Sequence, residues 1–162
     1  FVASKIISLP DSSINLQPNF LLLGAAGLHY FEDKHSWDIK FPNPVPNLCG
    51  QLVSQGKSFP HEFLIVTVLG TVNSVIINDQ REITFKFVAV LGPAACILNI
   101  NSSEDERVLF FCGKHCNSFL CSYTSDRHLC VIDQISNLAP ICDMVFARNL
   151  IVSCCNFASS GS

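Results

Sequence analysis

Short apolar segments separated by turn residues run along the whole chain. They are rich in Val, Ile, Phe and Leu, and they are too short for stable helices. The pattern therefore predicts an all-β chain. The predicted strands are Lys5–Leu9, Phe20–Leu23, Leu28–Glu32, Trp37–Phe41, Glu62–Leu69, Ser74–Asn78, Glu82–Val90, Cys96–Ile100, Arg107–Cys112, Ser118–Tyr123, Leu129–Ile135, Cys142–Phe146 and Leu150–Cys154.

An apolar run that ends at or near a small residue recurs about every 43 to 46 residues, which is the period of four-stranded propeller blades. The four copies are Phe20–Gly24, Phe63–Gly70, Val108–Gly113 and Leu150–Cys154. Phe63–Leu69 and Val108–Cys112 show no polar alternation, so we expect both to be buried on two faces between neighbouring blades. The period predicts WD-like β-propeller blades.

The number of repeats predicts an incomplete propeller. At this period the chain supplies about three and a half blades, whereas propellers typically close with four to eight. A blade covers its faces only against its neighbours, so we expect this segment to belong to a longer protein.

The breaks between the runs have turn chemistry. Asn78-Asp79-Gln80 separates two apolar runs and predicts a tight hairpin, because Asn and Asp tolerate left-handed backbone. Gly24, Gly70 and Gly113 each follow a core run and predict a turn. Pro42–Pro46 cannot donate regular ladder hydrogen bonds and predicts a loop between blades.

Composition narrows the classes of function. The 162 residues are 49% hydrophobic and carry a formal net charge of -3, with an isoelectric point near 5.9. Nonspecific nucleic-acid binding depends on clustered Lys and Arg, so direct nucleic-acid binding is not expected. No apolar run has the length of a membrane-spanning helix, and we expect no membrane partner.

The cysteines predict an intracellular chain with free thiols. There are nine, an odd number, with no Cys-x-x-Cys pair, and most lie inside apolar runs. Secreted domains of this size more often have an even set of loop cysteines joined by disulfides.

A zinc-binding module is an alternative that the cysteines and histidines keep open. Six candidate ligands lie close together in the sequence: Cys112, His115, Cys116, Cys121, His128 and Cys130. However, only Cys112-x3-Cys116 has a usual ligand spacing. Cys112 and Cys121 also fall in predicted core strands, where the sheet sets the side-chain directions. The main prediction is therefore no metal and no cofactor.

Catalytic signatures do not occur in the sequence. There is no Gly-x-Ser-x-Gly elbow, no Walker sequence and no Gly-x-Gly-x-x-Gly loop. We predict a non-enzymatic protein with no catalytic residues.

One segment resembles a known family. Asn137-Leu138-Ala139-Pro140-Ile141-Cys142-Asp143-Met144 resembles the Leu-Gly-Pro-Ile-x-Asp-Met signature of the large multi-propeller scaffolds. This family includes the large subunits of damage-specific DNA-binding protein and of the cleavage and polyadenylation factor, a splicing-factor scaffold and a fission-yeast heterochromatin paralogue. Upstream, Leu91-Gly92, Val108–Gly113 and Asn117–Leu120 resemble the family's strand, glycine turn and Asp-Ser-x-Leu segment.

The resemblance implies an organisation and a function. Residues 1–136 would be the closing blades of a first propeller, and residues 137–162 would cross into a second. The implied function is a nuclear adaptor that links substrate receptors to a cullin-RING ubiquitin ligase in DNA repair or heterochromatin regulation. The alternative within the family is a scaffold for splicing or 3′-end processing. The implied partners are receptor subunits, with a cullin as a further candidate, and the remaining blades of the same protein.

The resemblance also implies a partner-binding surface. His115, Cys116, Pro140 and Ile141 would lie near the surface that holds a helical segment of a receptor. Only Pro140 and Ile141 match family residues, since His115 and Cys116 stand where the ligase adaptor has Arg and Leu. Alternatively, Pro140 and Ile141 only shape the crossing between the two propellers, with Ile141 buried. His115 would then be a surface turn residue.

Overall fold

The fold is built from β-strands. The structure is a computed structural model that describes residues 3–8, 20–32, 35–41, 44–55, 61–78, 80, 82–102, 106–137, 141–147 and 150–155. These ranges contain fourteen strands and no helix, which confirms the all-β prediction. They accordingly offer no helix that is long and apolar enough to cross a membrane.

The strands form four antiparallel sheets. The first contains β1 (Ala3–Ser8), β2 (Phe20–Gly24), β3 (Gly27–Glu32) and β4 (His35–Lys40). The second contains β5 (Asn47–Gln55), β6 (His61–Thr67), β7 (Thr71–Ile77) and β8 (Ile83–Val90). The third contains β9 (Ala94–Ser102), β10 (Glu106–Gly113), β11 (Ser118–Thr124) and β12 (Leu129–Ile135). The fourth is a hairpin of β13 (Ile141–Ala147) and β14 (Leu150–Cys155).

Each four-stranded sheet is a meander in which every strand pairs with its neighbour in the sequence. The recurring apolar run is the second strand of every sheet, namely β2, β6, β10 and β14. The first strands of successive sheets lie side by side, because β1 contacts β5, β5 contacts β9 and β9 contacts β13. The sheets therefore stack in sequence order with their first strands together.

The second strand of the second sheet, β6, is buried on both faces, as its apolar run predicts. Phe63 and Ile65 pack against Leu23 and Tyr30 of the first sheet. Leu64 and Val66, whose side chains alternate with these, pack in a second cluster that includes Leu109, Phe111 and Tyr123 of the third sheet. A third cluster, centred on Cys96, Phe110 and Cys112, lies on the other face of the third sheet. The second sheet thus shares one apolar core with the first sheet and another with the third.

One strand was missed by the sequence pattern. Asn47–Gln55 forms β5, which pairs with β6 along its length and contacts β1 and β9. Gly50 and the polar residues Gln51, Ser54 and Gln55 interrupt its apolar pattern. β5 forms despite this composition because the backbone of β6 supplies its ladder partners.

The predicted strand Glu62–Leu69 is wrong at its end. β6 ends at Thr67, and Val68 and Leu69 are 43% and 81% exposed in the turn that follows. The Gly70 N–H donates to the Thr67 carbonyl at 2.9 Å, and Gly70 has a φ of 81°. This left-handed glycine lets the chain reverse before the last two apolar residues can enter the sheet.

The predicted hairpin after β7 is confirmed. β7 and β8 pair antiparallel, and the Asn78 N–H donates to the Glu82 carbonyl at 3.1 Å. The Asn78 carboxamide closes the turn as well, because its Oδ1 accepts from the Glu82 N–H at 2.8 Å. Asp79 lies outside the described residues.

We predict that Leu64→Ala lowers the free energy of unfolding by about 3 kcal/mol, because Leu64 is fully buried between the second and third sheets. Urea unfolding followed by circular dichroism measures the change. Ile132→Ala on β12 is the matched control, since Ile132 is 56% exposed and its truncation should cost less than about 1 kcal/mol. Equal effects of the two substitutions would contradict the face-to-face packing of the sheets.

Candidate functional site

Antiparallel connectivity brings one set of turns and links to the same end of the sheets. We call this surface the turn face. Its described members are Ala25, Ala26, Pro44, Val45, Pro46, Val68, Leu69, Gly70, Val90, Leu91, Gly92, Pro93, Lys114, His115, Cys116 and Asn117.

Backbone hydrogen bonds join the segments of the turn face from one sheet to the next. The Val45 N–H donates to the Ala25 carbonyl at 2.7 Å, and the Val68 N–H donates to the Pro46 carbonyl at 3.0 Å. Farther along, the Leu91 N–H donates to Gly70 at 3.1 Å, and the Lys114 N–H donates to Pro93 at 2.9 Å. The turns are therefore held as one continuous surface.

The turn face is apolar and partly exposed. Leu69 is 81% exposed and Val90 is 66% exposed, while Ala25, Ala26 and Pro44 are also exposed. Among its described members Lys114 is the one lysine, and none is an acid. Exposed apolar side chains that occur together in this way are typical of surfaces that bind other molecules.

The described parts of the opposite end of the sheets are polar and charged. The turn after β7 carries Asn78, Gln80 and Glu82, and the turn after β11 carries Asp126 and Arg127. These are polar and charged side chains that favour water. The two ends of the stack therefore differ in chemistry, and the turn face is the one suited to apolar contacts.

His115 and Cys116 lie on the turn face, between β10 and β11. His115 is exposed, and Cys116 is half-buried with its thiol donating to the Pro93 carbonyl at 3.4 Å. A Cβ built on Gly92 would lie 3.0 Å from the Cys116 sulfur, and one built on Gly70 would collide with the Gly92 backbone. Glycine at both positions allows the turns of the second and third sheets to pack closely.

Asn137 connects this turn to the chain that leaves β12. Its Nδ2 donates to the Gly113 carbonyl at 2.8 Å and to the Cys116 carbonyl at 2.7 Å. Its Oδ1 accepts from the Ser118 hydroxyl at 2.8 Å, and the same hydroxyl accepts from the Gly113 N–H at 3.1 Å. Asn137 therefore fixes the backbone of the turn that carries His115 and Cys116.

The other two predicted site residues follow Asn137. Pro140 lies outside the described residues, and Ile141 begins β13. β13 contacts β9 and β10, so its strand joins the same stack as the turn of His115 and Cys116. The connectivity places the start of β13 at the end of the stack that carries the turn face.

An apolar cavity of about 420 Å³ opens at the edge of the first sheet. Ala26 and Pro44 of the turn face line it together with Leu28, Ile39 and Phe41. Asp38 and Lys40 supply the charged groups of its wall. The cavity extends the apolar character of the turn face toward the side of the first sheet.

A buried carboxylate, Glu62, was not singled out by the sequence pattern. Glu62 is 8% exposed and its Oε1 accepts hydrogen bonds from Ser74, from the Tyr123 hydroxyl at 2.8 Å and from the Arg127 Nε at 3.1 Å. Ser74 belongs to its own sheet, whereas Tyr123 and Arg127 belong to the third sheet and its β11–β12 turn. Glu62 therefore links two sheets, and the three donors offset the cost of burying its charge.

The same arrangement recurs in the third sheet. Ser122 donates to Glu106, which stands at the start of β10 as Glu62 stands near the start of β6. In both sheets the serine lies opposite the residue two positions after the glutamate, Leu64 or Val108. In the sequence, the signal for these two glutamate–serine hydrogen bonds is a glutamate at the start of successive repeats, at Glu62 and Glu106.

The candidate zinc ligands do not converge on one metal site in the described part of the chain, although Cys130 and His128 lie within 3.1 Å of each other. Cys112 and Cys121 are fully buried, while Cys130 and His128 are exposed on the β12 side of the third sheet. No group of three or more Cys, His, Asp or Glu side chains in the described ranges is arranged to hold a metal ion. The six cysteines with described side chains are thiols: Cys49, Cys96, Cys112, Cys116, Cys121 and Cys130.

Comparison with known proteins assigns no family. No protein-family model matches the chain, and no curated protein matches it.

We predict that Glu62→Ala lowers the free energy of unfolding by about 2 to 4 kcal/mol, because it leaves the Arg127 charge and two buried hydroxyls without their acceptor. Urea unfolding measures the loss. Glu82→Ala is the control, since Glu82 is exposed and bonds only locally to Asn78 among the contacts described. A loss for Glu62→Ala no larger than that of the control would show that the link between the sheets contributes little.

We also predict that the protein loses stability at alkaline pH. Burial, and to a lesser extent Cys130, raises the pKa of the Cys121 thiol to about 12. Burial and the Glu62 carboxylate raise the pKa of Tyr123 well above its ordinary value. Because both folded-state pKa values exceed the unfolded ones, the stabilisation is complete below about pH 8.5 and falls as the pH rises above it.

Unfolding measured in a reducing buffer from pH 7.5 to 10 tests this. The free energy of unfolding should fall between pH 8.5 and 10 with a slope of up to about 1.4 kcal/mol per pH unit from Cys121. Cys121→Ala should flatten that slope whatever its effect on stability at pH 7.5. An unchanged slope in the variant would contradict the assignment to Cys121.

Proposed function

We propose that the three four-stranded sheets are blades of a β-propeller and that the hairpin of β13 and β14 begins the next blade. Three observations support this assignment. Each sheet is a four-stranded meander, the first strands lie next to one another, and both faces of the second sheet are covered by its neighbours. Radial repetition of this kind leaves short edges and buries apolar faces between repeats.

The chain acts, in this proposal, as a non-enzymatic scaffold that binds other proteins through the turn face. The observation that carries the proposal is the exposed apolar surface around Leu69 and Val90, which lies beside His115 and Cys116. An apolar surface with one lysine and no acid is suited to the apolar side of a partner segment. The partner is a protein whose amphipathic helix contributes aliphatic or aromatic side chains.

The proposed biological setting is a cullin-RING ubiquitin ligase in the nucleus, where the protein would link substrate receptors to the ligase in DNA repair or heterochromatin regulation. Support for this comes from the resemblance at Pro140-Ile141-x-Asp143-Met144. The connectivity is compatible with it, because Ile141 begins β13 at the end of the stack that carries His115 and Cys116. The same resemblance supports a scaffold for splicing or 3′-end processing.

Affinity purification from cells, followed by mass spectrometry, tests the proposal. We predict that Leu69→Asp removes the specific partners, because it places a charge in the most exposed part of the apolar surface. His115→Asp should weaken the same partners. Ile132→Asp is the matched control, since it also replaces an exposed apolar residue but lies on β12, away from the turn face.

Recovery of cullin and receptor subunits with the unmodified chain and with Ile132→Asp would support the ligase role. Recovery of splicing or polyadenylation subunits would support the alternative. The same partners recovered with Leu69→Asp would contradict binding through the turn face. Circular dichroism of each variant would establish that it is folded.

A further inference from the structure

Cys130 differs in its surroundings from the other described cysteines. It is exposed on β12, and its sulfur lies 3.1 Å from Nδ1 of His128, which is also exposed. β12 pairs only with β11 in its sheet, and the residues from Cys130 to Ile135 are all exposed. A dissolved reagent can therefore reach this thiol.

The other cysteines whose side chains the structure describes are less accessible than Cys130. Cys49, Cys96, Cys112 and Cys121 are buried in apolar clusters. Cys116 is half-buried, and its thiol donates to the Pro93 carbonyl, which can accept a hydrogen bond but cannot take the proton. Of the described cysteines, Cys130 alone combines exposure with an imidazole at hydrogen-bond distance.

The strand register places one polar residue of β11, a serine, beside this pair. Ser122 is opposite Cys130 and donates to Glu106, while Asp133 lies farther along the same strand, opposite Leu120. The backbone N–H of His128 donates to the Thr124 hydroxyl at 3.4 Å, and this bond helps to close the turn. Cys130 and His128 are therefore presented by a hydrogen-bonded turn at the start of β12.

We propose that Cys130 is a site of reversible thiol modification, in which His128 acts as the base and a low-molecular-weight disulfide is the reaction partner. Proximity of a thiol to an imidazole is the arrangement that activates cysteine as a nucleophile. The site is separate from the turn face and independent of the proposed docking function.

The reaction balances without a further oxidant. Nδ1 of His128 takes the proton of the Cys130 thiol, and the thiolate attacks one sulfur of the disulfide. A new sulfur–sulfur bond forms at Cys130 while the old one breaks. The departing thiolate takes the proton from the imidazolium and leaves as a thiol. One disulfide is consumed and one mixed disulfide and one thiol are produced.

Exchange with oxidised glutathione, mapped by peptide mass spectrometry on the native chain, tests the proposal. Among the six cysteines with described side chains, Cys130 should react first, and Cys130→Ser should abolish that early adduct. His128→Asn keeps a polar side chain beside the thiol but removes the base. It should slow the reaction of Cys130 at pH 7 by about tenfold.

The pH dependence and the denatured chain supply the controls. As the pH approaches 9, the His128→Asn variant should react as fast as the protein with His128, because a thiol then ionises without a base. In urea at pH 7, the two proteins should react equally. Equal native rates at pH 7, or faster modification of Cys116 than of Cys130, would overturn the proposal.

Discussion

Burial of each sheet against its neighbours is the constraint on which the rest of the structure depends. A four-stranded meander of this size has two apolar faces and cannot bury either one by itself. In the second sheet, Phe63 and Ile65 are covered by the first sheet, and Leu64 and Val66 are covered by the third. The stability of one sheet is therefore inseparable from that of the next. The Glu62 link between Ser74, Tyr123 and Arg127 adds a directional contact to this packing, which fixes how the second and third sheets lie against each other.

The same stacking explains why one end of the molecule can be apolar without losing its order. Turns of small residues and prolines approach one another closely at the turn face, and each is hydrogen-bonded to the next. Their backbone polar groups are satisfied by these bonds, so the surface can expose Leu69 and Val90. A rigid apolar surface requires little ordering when a partner binds. This is the physical basis for a scaffold role, and it does not depend on which partner binds.

The sequence pattern predicted most of the fold because buried second strands have a strong signature. Phe63–Val66 and Leu109–Cys112 are continuous apolar runs, and their repetition located the second strand of each sheet. β5 was missed because a glycine and several polar residues occupy a strand whose partners come from β6. The sequence pattern places Val68 and Leu69 in a strand, because residue type alone does not distinguish an apolar residue in a turn from one in a core. Their exposure depends on the conformation of Gly70.

The candidate site was less predictable than the fold. His115 and Cys116 could be assigned to a turn from the sequence, but the contacts of Cys116 with Pro93 and Asn137 bring together three segments that are distant in the chain. Glu62 looked like the polar end of an apolar run, and its role arises from residues about sixty positions later. The pairing of Cys130 with His128, although local, requires the turn that precedes β12. Contacts between sheets are thus what the pattern alone could not supply.

Hydrogen exchange under increasing denaturant would test the central claim most directly. If neighbouring sheets provide each other's core, the amides of β6 and β10 should form one slow class that exchanges together in a single opening reaction. Their opening free energies and denaturant dependences should coincide. Separate classes for β6 and β10, with one sheet opening while the other remains protected, would contradict the account.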